Sequence, residues 1–232
     1  MNKEIKRGYP ADNSFGQDAS AVSVKENSDS NKKKLALLLE DMRACRRCET
    51  AFGYEPRPVQ WGGLDAKVMQ ISQAPSKNVH ACGRPFSDLS GKRLRQAWYK
   101  ISDEDFYNPD LFYITTVGHC FPGKGRNNYD KKPPKCCYDL WTSKEIELMD
   151  SCELYLIVGA EAANRIFKGQ KFLDLVMHDQ MLHGKKCFVL PHPSPLNIKW
   201  FKDHPQFESE RLPVIRKALH EVLERAKTQN RG

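Results

Sequence analysis

The stretch that decides the fold is Val68 to Leu94, VMQISQAPSKNVHACGRPFSDLSGKRL. Its opening residues, Val68-Met69-Gln70-Ile71-Ser72, form a short apolar run of the kind that becomes a buried strand in a parallel sheet. The run breaks at Gln73-Ala74-Pro75-Ser76, and a polar loop containing His80 leads to Gly83-Arg84-Pro85-Phe86-Ser87-Asp88. Ser90-Gly91 then opens a helix, expected from the helical spacing of Leu94, Trp98 and Ile101. A strand that feeds a long loop and then a helix is how open α/β sheets build sites at the C-terminal ends of their strands.

The same grammar repeats outward. Residues 111–117, rich in β-branched and aromatic side chains, predict a second strand that runs into Gly118-His119-Cys120-Phe121-Pro122-Gly123-Lys124-Gly125-Arg126. Residues 154–158 predict a third, turning at Gly159 into a helix that carries Ala160, Ala163 and Ile166. Residues 186–190 predict a fourth, ending in Pro191-His192-Pro193-Ser194-Pro195-Leu196-Asn197. The last helix has Pro213 in its first turn and a stripe of Leu212, Ile215, Leu219 and Leu223 that must pack on the sheet. Strands alternating with helices imply an α/β fold, a three-layer α/β/α sandwich, over residues 34–232. Residues 1–33 are polar and aperiodic and are expected to be a disordered tail ending in Lys32-Lys33-Lys34.

The chain has 232 residues, 40% of them hydrophobic, which is enough for one domain with a sizeable core. No run approaches a membrane span and the N-terminus has no apolar signal core, so a cytoplasmic protein is expected, with no membrane partner. The net charge of +8 favours an anionic partner such as nucleic acid.

Eight cysteines in such a chain argue for a metal or cluster site over a disulfide framework. Cys45-x-x-Cys48 offers two sulfurs to one centre, and Cys120 with the adjacent Cys136 and Cys137 offers the rest. The second half lacks a C-x-x-C pair, which departs from a zinc ribbon and favours an iron–sulfur cluster, with zinc the alternative. Cys82, Cys152 and Cys187 have no near partner in sequence and read as buried or free thiols.

Taken together, the C-x-x-C pair, the Ala74-Pro75 and Arg84-Pro85-Phe86 stretch, the Cys120 loop and His192-Pro193-Ser194 resemble the uracil-DNA glycosylase superfamily. The likeness is greatest to its iron–sulfur branches, families four and five, and to a little-described bacterial subgroup with a similar Gly83-to-Gly91 loop. It spans about residues 35–226. The resemblance implies a four-stranded parallel sheet between helices and a structural [4Fe-4S] cluster held by Cys45, Cys48, Cys120 and either Cys137 or Cys136, with Cys137 favoured. It implies a monomeric enzyme acting on DNA near the nucleoid, which flips out uracil or a modified pyrimidine and hydrolyses its N-glycosidic bond.

Within that resemblance each residue acquires an expected task. Phe86 stacks on the flipped base, and His192 hydrogen-bonds the leaving base's carbonyl oxygen, the charge stabilisation such a reaction needs. The Gln73 backbone contacts the same oxygen, and Leu196 fills the space the nucleotide leaves. Ser194 and Asn197, in the same motif, join the substrate-binding set, and His80 touches base or phosphate. Lys124, Arg126, Lys131, Lys132 and Lys199 grip phosphates.

Two positions depart from the family pattern. Ala74 stands where related enzymes place a water-activating carboxylate, which makes Asp88 the candidate for that work, with a helix-capping role as its alternative. Thr116 stands where many place an asparagine that reads uracil, and a hydroxyl cannot match an amide's two-faced pattern. The substrate is therefore uracil in repair or a bulkier modified pyrimidine in defence against phage DNA. A catalytically inactive, cluster-bearing DNA-binding protein is the alternative from another class.

Overall fold

The computed structural model describes residues 18–52, 55–126 and 130–229. Its centre is a sheet of five strands in the order β2-β1-β3-β5-β4. The strands are β1 (Val68–Ser72), β2 (Phe112–Thr116), β3 (Leu154–Val158), β4 (Gln180–Leu182) and β5 (Lys185–Leu190). β1, β2, β3 and β5 are the four strands expected, and they pair in parallel. Every residue of β1, β2 and β3 is buried, as in a sheet covered by helices on both faces.

The fifth strand corrects the four-stranded expectation. β4 joins β5 antiparallel through His183 and Gly184, at φ 48° and 71°. A two-residue turn with both central residues left-handed twists as its strands do and makes a tight hairpin. Gln180-Met181-Leu182 is too short and too little buried to carry a sequence signal of its own.

The N-terminal boundary also moves. A helix runs over Asp18–Arg43, well into the segment expected to be disordered, while residues 1–17 lie outside those described. Leu35, Leu39 and Met42 bury its C-terminal half in the core. Asn31 bonds Asp150 at 2.7 Å and Lys32 pairs with Asp65, fixing the turns just before that anchor. Once one end is docked, helix propagates through a polar segment that has no apolar stripe. The closing helix, Leu212–Gln229, buries the predicted Leu212, Ile215, Leu219 and Leu223, together with Val222 and Ala226.

The order of the strands locates the site. The chain leaves β1 towards β2 on one side, then returns to place β3 on the other. Loops that leave the carboxyl ends of β1 and β3 therefore part in opposite directions and open a crevice between them. The segments after β1, β2, β3 and β5 all reach it.

Candidate active site

A cavity of about 710 Å³ occupies that crevice. Gln73 reaches it from the end of β1, Thr116 from β2, Gly159 from β3, and His192 from β5; Phe86, Asp88, Ser194, Leu196 and Asn197 complete the predicted set around it. His80 does not line it. It sits on the short helix Lys77–Cys82, its ring 6.2 Å from Phe121, and its buried Nδ1 has no partner among the described residues.

His192 is the best-defined group. The Ser194 backbone N–H donates to Nδ1 at 3.2 Å, so Nδ1 is the acceptor and the hydrogen of the neutral ring resides on Nε2. Burial holds its pKa below the ordinary value of 6.5, against the opposing charges of Asp88 and Asp130. Asn197 Nδ2 donates to the His192 carbonyl at 2.8 Å and fixes the backbone beneath it. Gly159, at φ 94°, lies under the ring: a Cβ there would sit 3.5 Å from the His192 Cβ, and an L side chain would be strained at that φ.

Phe86 is held in an unusual conformation. Its φ is 54°, left-handed for a bulky residue, which costs on the order of 1–3 kcal/mol. The surroundings impose it. Arg95 Nη1 donates to the Phe86 carbonyl at 2.6 Å, and the Tyr107 hydroxyl lies 2.9 Å from the Pro85 carbonyl and 3.2 Å from that of Phe86. Arg95 is anchored in turn by Asp103 at 2.6 Å. Gly91 is required here, since any Cβ would overlap the Phe86 carbonyl. The ring is 8% exposed, edge-on to Phe106 at 6.2 Å, so Phe86 belongs to the core and to the cavity wall together.

Asp88 caps the helix that follows, its Oδ1 accepting from the Gly91 N–H at 3.0 Å. The capping alternative is thus present in the structure, and it occupies one of the two carboxylate oxygens. Thr116 donates its hydroxyl hydrogen to the Gly118 carbonyl at 3.0 Å, which leaves its oxygen only as an acceptor. Gln73 gives its carbonyl to the Gly118 N–H at 3.0 Å. Leu196 is 74% exposed at the rim, in a short helix whose first turn Ser194 Oγ caps at 3.2 Å.

Asp130, Glu161 and Asn164 also line the cavity and were not read from the sequence, and Lys132, expected to grip phosphate, lines it with them. Glu161 and Asn164 lie on the helix Ala160–Ile166 that leaves β3, where the strand-end rule could have pointed. Three of the expected phosphate-binding lysines are engaged within the chain: Lys124 with Asp130 at 2.8 Å, Lys132 with Glu161 at 3.1 Å and Lys199 with Asp203 at 2.8 Å. Arg126 and Lys131 are exposed on the same loop.

A second, smaller hollow lies beside the end of β2. Cys45, Cys48, Cys120 and Cys137 all line it, with Pro56, Pro58, Pro134 and Trp141 around them. Cys136 is exposed and does not reach it. Burial pushes the Cys120 thiol up to about 12, and the charges of Cys137, Cys48 and Cys45 add to the effect. Among the described residues no three metal-binding side chains converge tightly enough for a single ion. Cys152 and Cys187 are buried away from the hollow and Cys82 is exposed.

The chain has curated relatives. It is 28% identical over 202 residues to the type-5 uracil-DNA glycosylase of Pyrobaculum aerophilum, covering 80% of this chain and 81% of that protein. It is 23% identical over 165 residues to the type-4 uracil-DNA glycosylase of Thermotoga maritima, covering 70% and 82% respectively. No helix among the described residues is long and apolar enough to cross a membrane. The sequence model of the uracil DNA glycosylase superfamily matches residues 59–216, from the first loop through the last strand and into the closing helix. The chain belongs to that superfamily, and it is a DNA glycosylase, an enzyme that hydrolyses N-glycosyl bonds.

Proposed function

We propose that the enzyme draws a uracil or a modified pyrimidine out of DNA into the 710 Å³ cleft and hydrolyses its bond to the sugar, leaving an abasic site. The observation that carries this reading is His192: neutral, half-buried, with Nδ1 engaged and a hydrogen left on Nε2, in the same cavity as Phe86. As the bond from C1′ to the base breaks, its electron pair goes to the base and charge collects on a ring carbonyl oxygen. The Nε2–H donates to that oxygen without any proton leaving the ring. Phe86 offers the flipped base an apolar wall.

The sugar left behind is cationic, and water adds to C1′. Ala74 supplies no carboxylate, so the Asp88 oxygen not used in capping takes the proton from that water, and the negative charges of Asp88 and Asp130 favour the sugar cation. Leu196 enters the gap in the stack. Arg126 and Lys131 contact phosphates directly, whereas Lys124, Lys132 and Lys199 exchange an internal carboxylate for a phosphate.

The residues around the smaller hollow fit an iron–sulfur cluster. Four thiols surround a site sheltered by three prolines and a tryptophan, the all-thiolate donor set that holds such clusters. Cys45, Cys48, Cys120 and Cys137 would hold a [4Fe-4S] group, which would cross-link the N-terminal helices to the loop after β2.

Two features favour a modified pyrimidine as the second reading. Thr116 offers one acceptor in place of an amide, and the cleft is of the size that holds a drug-sized ligand. Lys132, Glu161 and Asn164 would then meet a polar substituent on the base. The role is repair of deaminated cytosine in the first case and defence against phage DNA in the second. Oligonucleotides bearing uracil, hydroxymethylated cytosine or glycosylated hydroxymethylcytosine, scored for abasic sites with cluster-loaded enzyme, separate the two. DNA binding with no cleavage of any base would instead establish an inactive binding protein.

A further inference from the structure

Behind the cysteine hollow runs a chain of buried polar groups that the base cleft does not use. Glu145, on the helix Ser143–Leu148, has no exposed surface, and His119 has 1%. A carboxylate in the core is costly unless both oxygens are bonded, and here they are. Oε1 accepts from the Tyr113 hydroxyl at 2.7 Å and Oε2 from the Thr115 hydroxyl at 2.9 Å, with His119 Nε2 3.2 Å from Oε2. Thr115 gives its hydrogen to Glu145, so its oxygen, 2.9 Å from His119 Nε2, accepts there. Nε2 therefore carries a hydrogen.

The other side of His119 addresses one sulfur. Its backbone N–H donates to Cys137 Sγ at 3.4 Å, and its Nδ1 lies 3.5 Å from the same atom. Well-packed apolar side chains of similar volume often replace such buried charged groups at little or no loss of stability. A carboxylate, an imidazole and two hydroxyls arranged to hold a backbone N–H and a ring nitrogen against a single cysteine are explained by what they do to that cysteine.

We propose that His119 and Glu145 are positioning residues that seat Cys137 as the fourth thiolate of the cluster site, selecting it over its exposed neighbour Cys136. The inference rests on the cluster reading above and extends it to residues outside the ligand set. A hydrogen bond to a ligating sulfur, here from the His119 backbone N–H, favours the more negatively charged, reduced cluster, so the pair, by fixing that N–H, would raise its potential. Glu145 acts only through His119, by fixing the ring's tilt, and Tyr113 and Thr115 fix Glu145.

The test uses the full chain purified without air, as wild type and as Cys136→Ala, Cys137→Ala, Glu145→Gln, His119→Gln and Tyr113→Phe. Iron and sulfide per chain, the visible thiolate-to-iron spectrum, the rate of iron loss to a chelator and the midpoint potential are measured, with circular dichroism to score folding. Cys136→Ala should keep its iron and Cys137→Ala should lose it. Glu145→Gln and His119→Gln should release iron about 10–100-fold faster and show a lower potential. Tyr113→Phe should move the potential less, in the same direction. A wild type without iron and sulfide overturns the cluster reading and this inference with it. A loaded wild type whose Glu145→Gln and His119→Gln variants match it in release rate and potential overturns this inference alone, as does iron loss in Cys136→Ala. If both of those variants fail to fold, an unchanged potential in Tyr113→Phe overturns it.

Discussion

The two hollows of the molecule both border the end of β2 and are built in opposite ways. The base cleft is wide, and the groups around it carry functionality that the described residues do not consume: Nε2 of His192, one oxygen of Asp88, the acceptor of Thr116. The cysteine hollow is small, and behind it Tyr113, Thr115, Glu145, His119 and Cys137 satisfy one another. Polar groups that face inward and find partners fix a geometry, whereas those left over at a cavity wall are available to a substrate. Thr115 and Thr116 divide the two tasks between adjacent residues, because alternate side chains of a strand point to opposite faces.

The comparison is broken most severely at His192. Replacing it with Ala should slow single-turnover abasic-site formation by about 10²–10³-fold, the usual cost of one donor to a developing oxyanion, with iron content unchanged. A variant of near wild-type rate would mean that the cleft's central donor lies elsewhere. Asp88 comes next and separates its two tasks. Asp88→Asn keeps an oxygen for the Gly91 N–H and should lose about 10²-fold in rate at constant melting temperature. Asp88→Ala should lose the same rate and about 1 kcal/mol of stability besides. Full activity in Asp88→Asn would reduce the residue to a cap.

The pH profile sharpens the picture of His192. Its folded pKa lies below the ordinary 6.5, so the neutral ring persists through pH 7 and activity should be level there. Below that, protonation of Nδ1 removes the acceptor of the Ser194 N–H, and activity should fall with a midpoint under 6.5. The linked stability has the same sign. The unfolded chain takes up this proton first as pH falls, so the contribution is complete above 6.5 and is lost towards the folded pKa. In His192→Gln the limb should vanish from kcat/KM; its persistence would assign it to another group. Leu196→Ala should have the smallest effect, a several-fold loss on double-stranded DNA and little on single strands, where no stack is opened. Equal losses on both would mark Leu196 as a packing residue.

Much of this was legible because it is written in local pattern. The four apolar runs became the four parallel strands, and the Leu212 stripe became the closing helix, since burial selects short apolar segments and helical periodicity directly. Gln73, Phe86, Asp88 and the His192 motif, expected from the family motifs and from Asp88's place beside Phe86, lie together around the cleft at the strand ends. β4 was missed because three residues and a His183-Gly184 turn carry almost no periodic information. The N-terminal helix reaches into the segment expected to be disordered because its polar half is held by tertiary anchoring at Leu35, Leu39 and Met42 and by pairs such as Asn31 with Asp150. His80 sits on a short helix outside the cleft rather than in the expected loop, because six residues carry too little periodicity to mark a helix.

By itself the sequence determined the four parallel strands and the closing helix, because each is marked by periodicity or turn chemistry within a short window, while the candidate base-contacting residues and the candidate cysteines came with the family motifs. Only the tertiary structure decided that Cys137 and not Cys136 reaches the hollow, that Phe86 is held left-handed by Arg95 and Tyr107, and that Glu145, far along the chain, stands behind His119. Those are contacts between distant segments, and their partners are set by how helices and strands pack in three dimensions, which no local window contains.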